Sequence, residues 1–258
     1  MGAETRAGAI LAVDAGTTGV TAVVVTSVGR VAARAHRELG RHSPQPGWVE
    51  QVPEEIWQAL RAATRDCLDT WDGAPGSLSG IGLTHRRETT MLWDRETLGS
   101  PRRAIVSKDR RAADICSTMR HEDHEGRITE LTGLRLDPGL SGPRLRWLAE
   151  NEPRTWALVD QGRYAVGTVD SYLVARMTRG TWHLTGVADA CHTLLLDLGS
   201  GEWSQELCDL FGVPMDALPE LVPHWGELAR TDPRSFLGLD VPITRILGDQ
   251  QSSLFGRT

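Results

Sequence analysis

Ile10-Leu11-Ala12-Val13-Asp14-Ala15-Gly16-Thr17-Thr18-Gly19-Val20-Thr21-Ala22-Val23-Val24-Val25 is the stretch whose reading decides the fold. Two apolar, largely β-branched runs flank a polar break at residues 14–19, and that is the pattern of a β-hairpin. Gly16 and Gly19 allow positive φ in a tight connection and leave its backbone N–H groups uncovered. Thr17 and Thr18 add hydroxyl donors, so the turn can cradle an anion. Asp14 stands at the mouth of that turn. A carboxylate there repels a bare phosphate, so its presence makes sense with a divalent cation between them, as in metal-bridged nucleotide chemistry. A Walker loop is excluded, because no Gly-Lys-Ser/Thr follows and the next element is a strand.

Outward from the hairpin, residues 31–39 read as a third strand, which makes an antiparallel three-strand meander. Pro53 suits the first position of a helix with Glu54 and Glu55 in its first turn, and Ile56, Leu60, Ala63, Cys67 and Leu68 recur at helical spacing over 53–70. A Gly/Pro/Ser-rich loop at 72–79 leads to a short buried strand at 81–83, so the meander gives way to β/α alternation. The class is α/β, with a mixed sheet flanked by helices. At the end of that strand comes Thr84-His85-Arg86-Arg87-Glu88-Thr89-Thr90. Charged residues at a strand's carboxyl end face the ligand crevice in α/β sheets. Arg87 offers a rigid fork of donors and Glu88 offers acceptors, a combination suited to adjacent hydroxyls that both donate and accept.

Further along, the pattern predicts strands at 91–93, 103–106, 164–167, 194–197 and 241–247. It predicts helices opening at Lys108, over 128–131, from Pro143, over 169–177, 188–191 and 203–211, and a short closing helix at 252–255. Residues 218–240 read as a proline-punctuated connection. Gly248-Asp249-Gln250-Gln251 places Asp249 at a strand's end and a helix's start, a second carboxylate beside the same crevice.

The 258 residues carry a net charge of -6 and 40% hydrophobic content, ordinary for a globular protein. The acidic balance argues against nucleic-acid and anionic-membrane partners, and the arginine pairs 86–87, 102–103 and 110–111 read as solvated or ion-paired. No run of 18 apolar residues and no basic leader occurs, so a cytoplasmic protein is expected. Cys67, Cys116, Cys191 and Cys208 lack metal or redox spacing and read as buried free thiols. The string 121–125, His-Glu-Asp-His-Glu, reads as a polar connection rather than a metal site.

These segments together resemble the FGGY family of carbohydrate kinases, nearest its glycerol kinases, along essentially the whole length. The resemblance rests on Asp14-Ala15-Gly16-Thr17-Thr18, Pro44-Gln45-Pro46-Gly47-Trp48-Val49-Glu50, Arg87-Glu88-Thr89-Thr90, Asp109-Arg110-Arg111, Thr132-Gly133-Leu134, the string 141–147 and Gly248-Asp249-Gln250-Gln251, in the family's order. It implies an actin-like, ribonuclease-H-like domain, the N-terminal substrate-binding half of an enzyme that transfers the γ-phosphoryl group of ATP to a polyol or ketose hydroxyl. By the same resemblance Asp14 and Asp249 hold Mg2+, while Gly16, Thr17 and Thr18 meet the phosphates. Arg87, Glu88, Asp249 and Gln250 bind the substrate, and Asp249 is the base. The runner-up is a non-catalytic domain of the same descent that binds a polyol or a protein partner.

Three departures qualify the resemblance. Ser107 and Gly139 stand where the glycerol kinases carry aromatic walls of the substrate pocket, so the expectation is weak glycerol binding or a bulkier polyol. Gly19 and Thr21 replace a serine and an arginine near the phosphates, which removes a charge-assisted contact. The sequence stops at Thr258, where the family's nucleotide domain would begin. Little kinase activity is therefore expected of this chain alone, the other half being part of a longer chain, a separate polypeptide or lost. Homo-oligomer formation is left open.

Overall fold

The computed structural model describes residues 8–256. Its centre is a six-stranded sheet: β1 (Ala9–Ala15), β2 (Gly19–Val25), β3 (Val31–Glu38), β4 (Leu78–His85), β5 (Ala229–Arg230) and β6 (Pro242–Gly248), ordered β5-β6-β4-β1-β2-β3. The three N-terminal strands form the expected antiparallel meander. Then β4 joins β1, and β6 joins β4, both in parallel. Leu11, Val13 and Ala15 point inward at alternate positions of β1 and are essentially inaccessible. Leu11 and Val13 each contribute about 1.5–3 kcal/mol of hydrophobic stabilisation.

Helix α1 (Pro53–Asp69) packs on β2 and β3 through Ile56, Trp57, Leu60, Ala63 and Cys67, the stripe that its periodicity predicts with Trp57 added. A second apolar cluster lies beside the sheet. It is built from α2 (Ala113–His121), α3 (His124–Thr132), α4 (Ser141–Asn151), α5 (Pro153–Asp160) and, after α6 (Val169–Met177) and α7 (Val187–Ala190), from α8 (Gln205–Phe211). The closing helix α9 (Asp249–Phe255) follows β6 without a break.

Several boundaries differ from expectation. The helix expected at Lys108 starts at Ala113, because the Asp109 carboxylate is buried and accepts from the Val49 and Arg111 amides, while the Arg110 amide donates to the Gly47 carbonyl. Residues 107–112 are therefore tied to the loop before α1. α9 begins at Asp249 rather than Ser252, and α3 at His124 rather than Ile128. The strand expected at 194–197 shrinks to Leu196–Asp197, since Leu194 has φ 64° and turns the chain. Within 218–240, Glu220–Val222 pairs in parallel with Leu184–Gly186, and β5 forms the sheet's edge.

All four cysteines are free, three buried and Cys191 half-buried. Among the described residues no helix is long and apolar enough to cross a membrane.

Candidate active site

The parallel strands β1, β4 and β6 end together. Asp14 is in register with Thr84 of β4, and Thr84 with Leu247 of β6, so Asp249, two residues on, emerges two strands from Asp14. Adjacent strands lie about 4.8 Å apart, which puts the two acids' backbones on the order of 10 Å from each other. Asp14 is only partly exposed, and its Oδ1 is buried without a partner. Burial first, and the Asp249 carboxylate second, raise its pKa, against smaller opposing effects of His85 and His36. Asp249 is exposed and accepts from the Gln250 amide at 2.8 Å. A cleft of about 290 Å³ opens beside Asp14, lined also by Thr21, Arg34 and Thr84.

The turn between β1 and β2 is held from behind. The Gly16 amide donates to the Gly19 carbonyl at 3.0 Å, and the Leu39 amide to the Thr18 carbonyl at 2.8 Å. Gln51 donates to the Thr17 carbonyl at 3.2 Å and accepts from the guanidinium of Arg86, which is buried. Arg86 is thus a brace for the phosphate-type turn rather than a solvated cation. Neither Gly16 nor Gly19 has the positive φ that their sequence suggests. Gly19 is needed for close approach instead, because a Cβ there would stand 2.4 Å from the His36 ring and 2.5 Å from the Arg37 carbonyl of β3. Thr18 is exposed and Thr17 half-exposed, while Thr21 spends its hydroxyl on His36 Nδ1 at 2.9 Å.

Past the ends of β4 and β6, Arg87, Glu88 and Gln250 come together, with one addition. Arg87 Nη2 donates to Gln250 Oε1 at 2.6 Å, and its Nη1 bonds His192 Nε2. His192 Nδ1 lies 3.3 Å from Glu88 Oε1. Glu88 has φ 63°, a left-handed conformation that non-glycine residues rarely hold without support. Arg144, fully buried on α4, supplies that support. It donates to the Glu88 carbonyl, to the Ile105 carbonyl at 3.0 Å and to the Pro138 carbonyl at 3.1 Å. Burial pushes its pKa down to about 9. Sequence reasoning quoted Arg144 within a motif but assigned it no task, and the only local signal was a charge on the inward face of a predicted helix.

Ser107 and Gly139 are neighbours. With the backbone as it stands, a Cβ on Gly139 would lie 2.9 Å from the Ser107 carbonyl and 2.8 Å from Asp137 Oδ1. A side chain at position 139 therefore does not fit this backbone without movement of the loop.

Other matching strings are structural. Trp48 stacks on the Arg111 guanidinium at 3.7 Å, and Arg111 bridges Asp109 and Glu50 at 2.8 Å each. The 121–125 string forms a surface pair, His124 to Glu122 at 3.5 Å, at the junction of α2 and α3. Arg102, Arg103, Arg110 and Arg111 are all ion-paired, and Lys108 is exposed.

Sequence reasoning missed His85. Its ring is fully buried at the end of β4, with Nε2 3.4 Å from Asp189 Oδ2 and 3.8 Å from Asp170 Oδ2. Burial works against its charge, but Asp170 and then Asp189 outweigh that, and the imidazole's pKa is pushed up to about 10.

A sheet of antiparallel meander plus two parallel strands, with two acids at the strand ends beside a braced glycine–threonine turn, defines an actin-like ATPase domain. The model of the FGGY family of carbohydrate kinases, N-terminal domain, matches residues 9–256, and the chain belongs to that family. Glycerol kinases of Polaromonas naphthalenivorans and Methylobacterium nodulans are 41% identical over 251 residues and 40% over 248, in each case 96% of this chain. The chain spans about half the length of these curated relatives, 50% and 49%. Among solved structures, Plasmodium falciparum glycerol kinase with ADP superposes with a TM-score of 0.90 at 24% identity, covering 97% of this chain and 50% of that one. The Brucella ovis xyloylose kinase follows at 0.82 and 26%, covering 93% and 48%.

Proposed function

We propose that this chain, residues 1–258, is the N-terminal substrate-binding half of an ATP-dependent kinase that acts on glycerol or a related polyol or ketose in the cytoplasm. It works with a nucleotide-binding half on the same or a separate polypeptide. The observation that carries this reading is the meeting of Asp14 and Asp249 at one end of the sheet, with a buried, unpartnered oxygen on Asp14. Such an orphaned carboxylate oxygen fits a hard divalent cation, and Asp14 with Asp249 would hold Mg2+ there. When bound, that ion offsets charge on the transferring phosphates.

The remaining roles belong to this chain's own groups. The turn that opens at Gly16 holds the phosphates through the amides and hydroxyls of Thr17 and Thr18, while the Gly16 amide closes the turn on the Gly19 carbonyl. Arg87 and Gln250 donate to the polyol, and Glu88 accepts from it. Asp249 takes the proton of the attacking hydroxyl as its oxygen bonds to the γ-phosphorus and the bond to the bridging oxygen breaks, releasing ADP. A second reading, a non-catalytic polyol- or partner-binding domain, is favoured by the internal bonding of Arg87, Glu88, Gln250 and His192.

The deciding experiment combines the chain with a family nucleotide-binding half and follows ADP release over a panel of glycerol, erythritol and ketoses. Turnover that depends on one polyol supports the kinase. Calorimetric polyol binding without ADP release supports the second reading, and neither binding nor turnover refutes both.

A further inference from the structure

His85, Asp170 and Asp189 converge beneath the crevice from three separate elements: the end of β4, the first turn of α6 and α7. Their donor atoms lie within 4.8 Å of one another, and all three side chains are buried. Among the described residues this is the one group of three or more such side chains with converging donor atoms.

Four observations say what the cluster is arranged to hold. First, His85 Nδ1 faces the Arg86 carbonyl at 3.0 Å, so that nitrogen donates and Nε2 is left to point at the acids. This is the orientation that a metal-bound imidazole takes when a carbonyl fixes its other nitrogen. Second, His85 Nε2 and both oxygens of Asp189 are buried without a well-formed hydrogen bond, Nε2 and Oδ2 meeting only as a loose ion pair at 3.4 Å. Asp170, by contrast, is satisfied by the Thr185 hydroxyl at 2.6 Å and by Thr168. Third, the spacings of 3.4 and 3.8 Å exceed the 2.7–2.9 Å of a charge-assisted hydrogen bond. Ligands about 2.0–2.2 Å from one tetrahedral ion stand roughly 3.4 Å apart, so the atoms surround a point instead of touching. Gly186 keeps the wall beside Asp189 low, since a Cβ there would lie 3.2 Å from Asp189 Oδ2.

Charge supplies the fourth. Two carboxylates and a neutral imidazole leave a buried charge of minus two. A proton on His85 removes half of it, and a divalent cation removes all of it. Asp14, which His85 influences, adds negative charge, Arg86 spends its guanidinium on Gln51 and the Thr17 carbonyl, and His224 flanks Gly186 beside Asp189.

We propose that His85, Asp170 and Asp189 form a buried structural site for a divalent first-row metal ion, zinc above all. One nitrogen and two carboxylate oxygens suit zinc, and an imidazole donor disfavours magnesium and calcium. The ion cross-links the end of β4, just before Arg87 and Glu88, to the segment that carries His192, so it fixes the floor of the substrate side. It enters as the chain folds, because no donor atom faces solvent. The site is separate from the Asp14–Asp249 pair, and its test reads metal rather than phosphoryl transfer.

The full chain is refolded from guanidinium and chelator with and without zinc, and zinc is then counted after exhaustive dialysis. The expected result is one retained equivalent and a raised melting temperature for the zinc-refolded sample. Asp189→Asn and His85→Gln should each weaken uptake by roughly a hundredfold or more. X-ray absorption of the wild-type adduct should give one imidazole with oxygen donors, and it decides the matter even where a variant does not fold. Failure to retain zinc, uptake undiminished in a folded variant, or a shell containing sulfur or several imidazoles overturns the site.

Discussion

The two sides of the crevice differ in how their polar groups are used. On the phosphate side, Asp14 keeps a buried oxygen with no partner, and the turn at 16–18 is braced from behind by Gln51 and Arg86 while Thr18 faces outward. On the substrate side, Arg87, Glu88, Gln250 and His192 bond one another. An orphaned group in a rigid frame is poised for a ligand that brings charge, since the desolvation cost has been met on folding. A satisfied cluster must first release its internal bonds. The difference teaches that the Asp14 side is open to a ligand as it stands, whereas a ligand at Arg87 and Glu88 has to displace His192.

The most forceful way to break that contrast is Asp249→Asn. If Asp249 is the base, the change should cut phosphoryl transfer in the reconstituted pair by about 10²–10⁴-fold, the range of a lost general base, with polyol affinity shifted far less. Steady-state kinetics paired with calorimetry separates the two. Unaltered turnover would remove Asp249 from the chemistry and leave the reaction side as inert as the other.

Arg144→Met comes next. The change takes the donor from the half-buried carbonyls of Glu88 and Pro138 and one of two donors from the buried Ile105 carbonyl, which keeps the Thr90 amide, and it releases Glu88 from its left-handed backbone. Losing this donor should destabilise the chain by about 2 kcal/mol and weaken polyol binding. Urea unfolding and calorimetry report the two effects. Lost affinity at unchanged stability would mean that Arg144 serves the ligand and not the backbone.

How much of this contrast was legible beforehand follows from which interactions are local. The hairpin, α1 and the strand ends that carry Asp14, Arg87 and Asp249 are read from alternation, helical spacing and turn residues within a few positions of each other. The triad is not: His85 and Asp189 are 104 positions apart in the numbering, and no spacing rule joins them. α5 was missed because only Trp156 and Val159 face inward, and one residue, Glu152, separates it from α4. The glycines of the turn were found but given the wrong reason. Sequence cannot tell positive φ from close approach, and it is His36 and Arg37, from a strand placed by pairing, that exclude a Cβ at Gly19.

His192→Ala sharpens the contrast from the substrate side. Removing the ring frees one arm of Arg87 and the carboxylate of Glu88 from an internal partner. A ligand then no longer competes with His192, and polyol affinity should rise by about tenfold, equal to roughly 1.4 kcal/mol. A fall in affinity instead would identify His192 as a ligand for the polyol, and the cluster as preformed rather than self-occupied.

Asp14→Asn is the finest test, and it works through stability. A carboxyl whose folded pKa is raised above its unfolded value binds a proton more tightly in the folded chain. Folding therefore loses stability as pH rises from the unfolded value near 3.8 through the raised one, and the deficit is complete above it. Asparagine has no such deficit. The variant should match the wild type in acid and melt higher at neutral pH, by about 2–4 °C if the gain is near 1 kcal/mol. Activity would be lost in the same change, which is the expected exchange where a functional site stores strain. A variant no more stable than the wild type at neutral pH would mean that Asp14 already has a compensating partner, and the two sides of the crevice would then be alike.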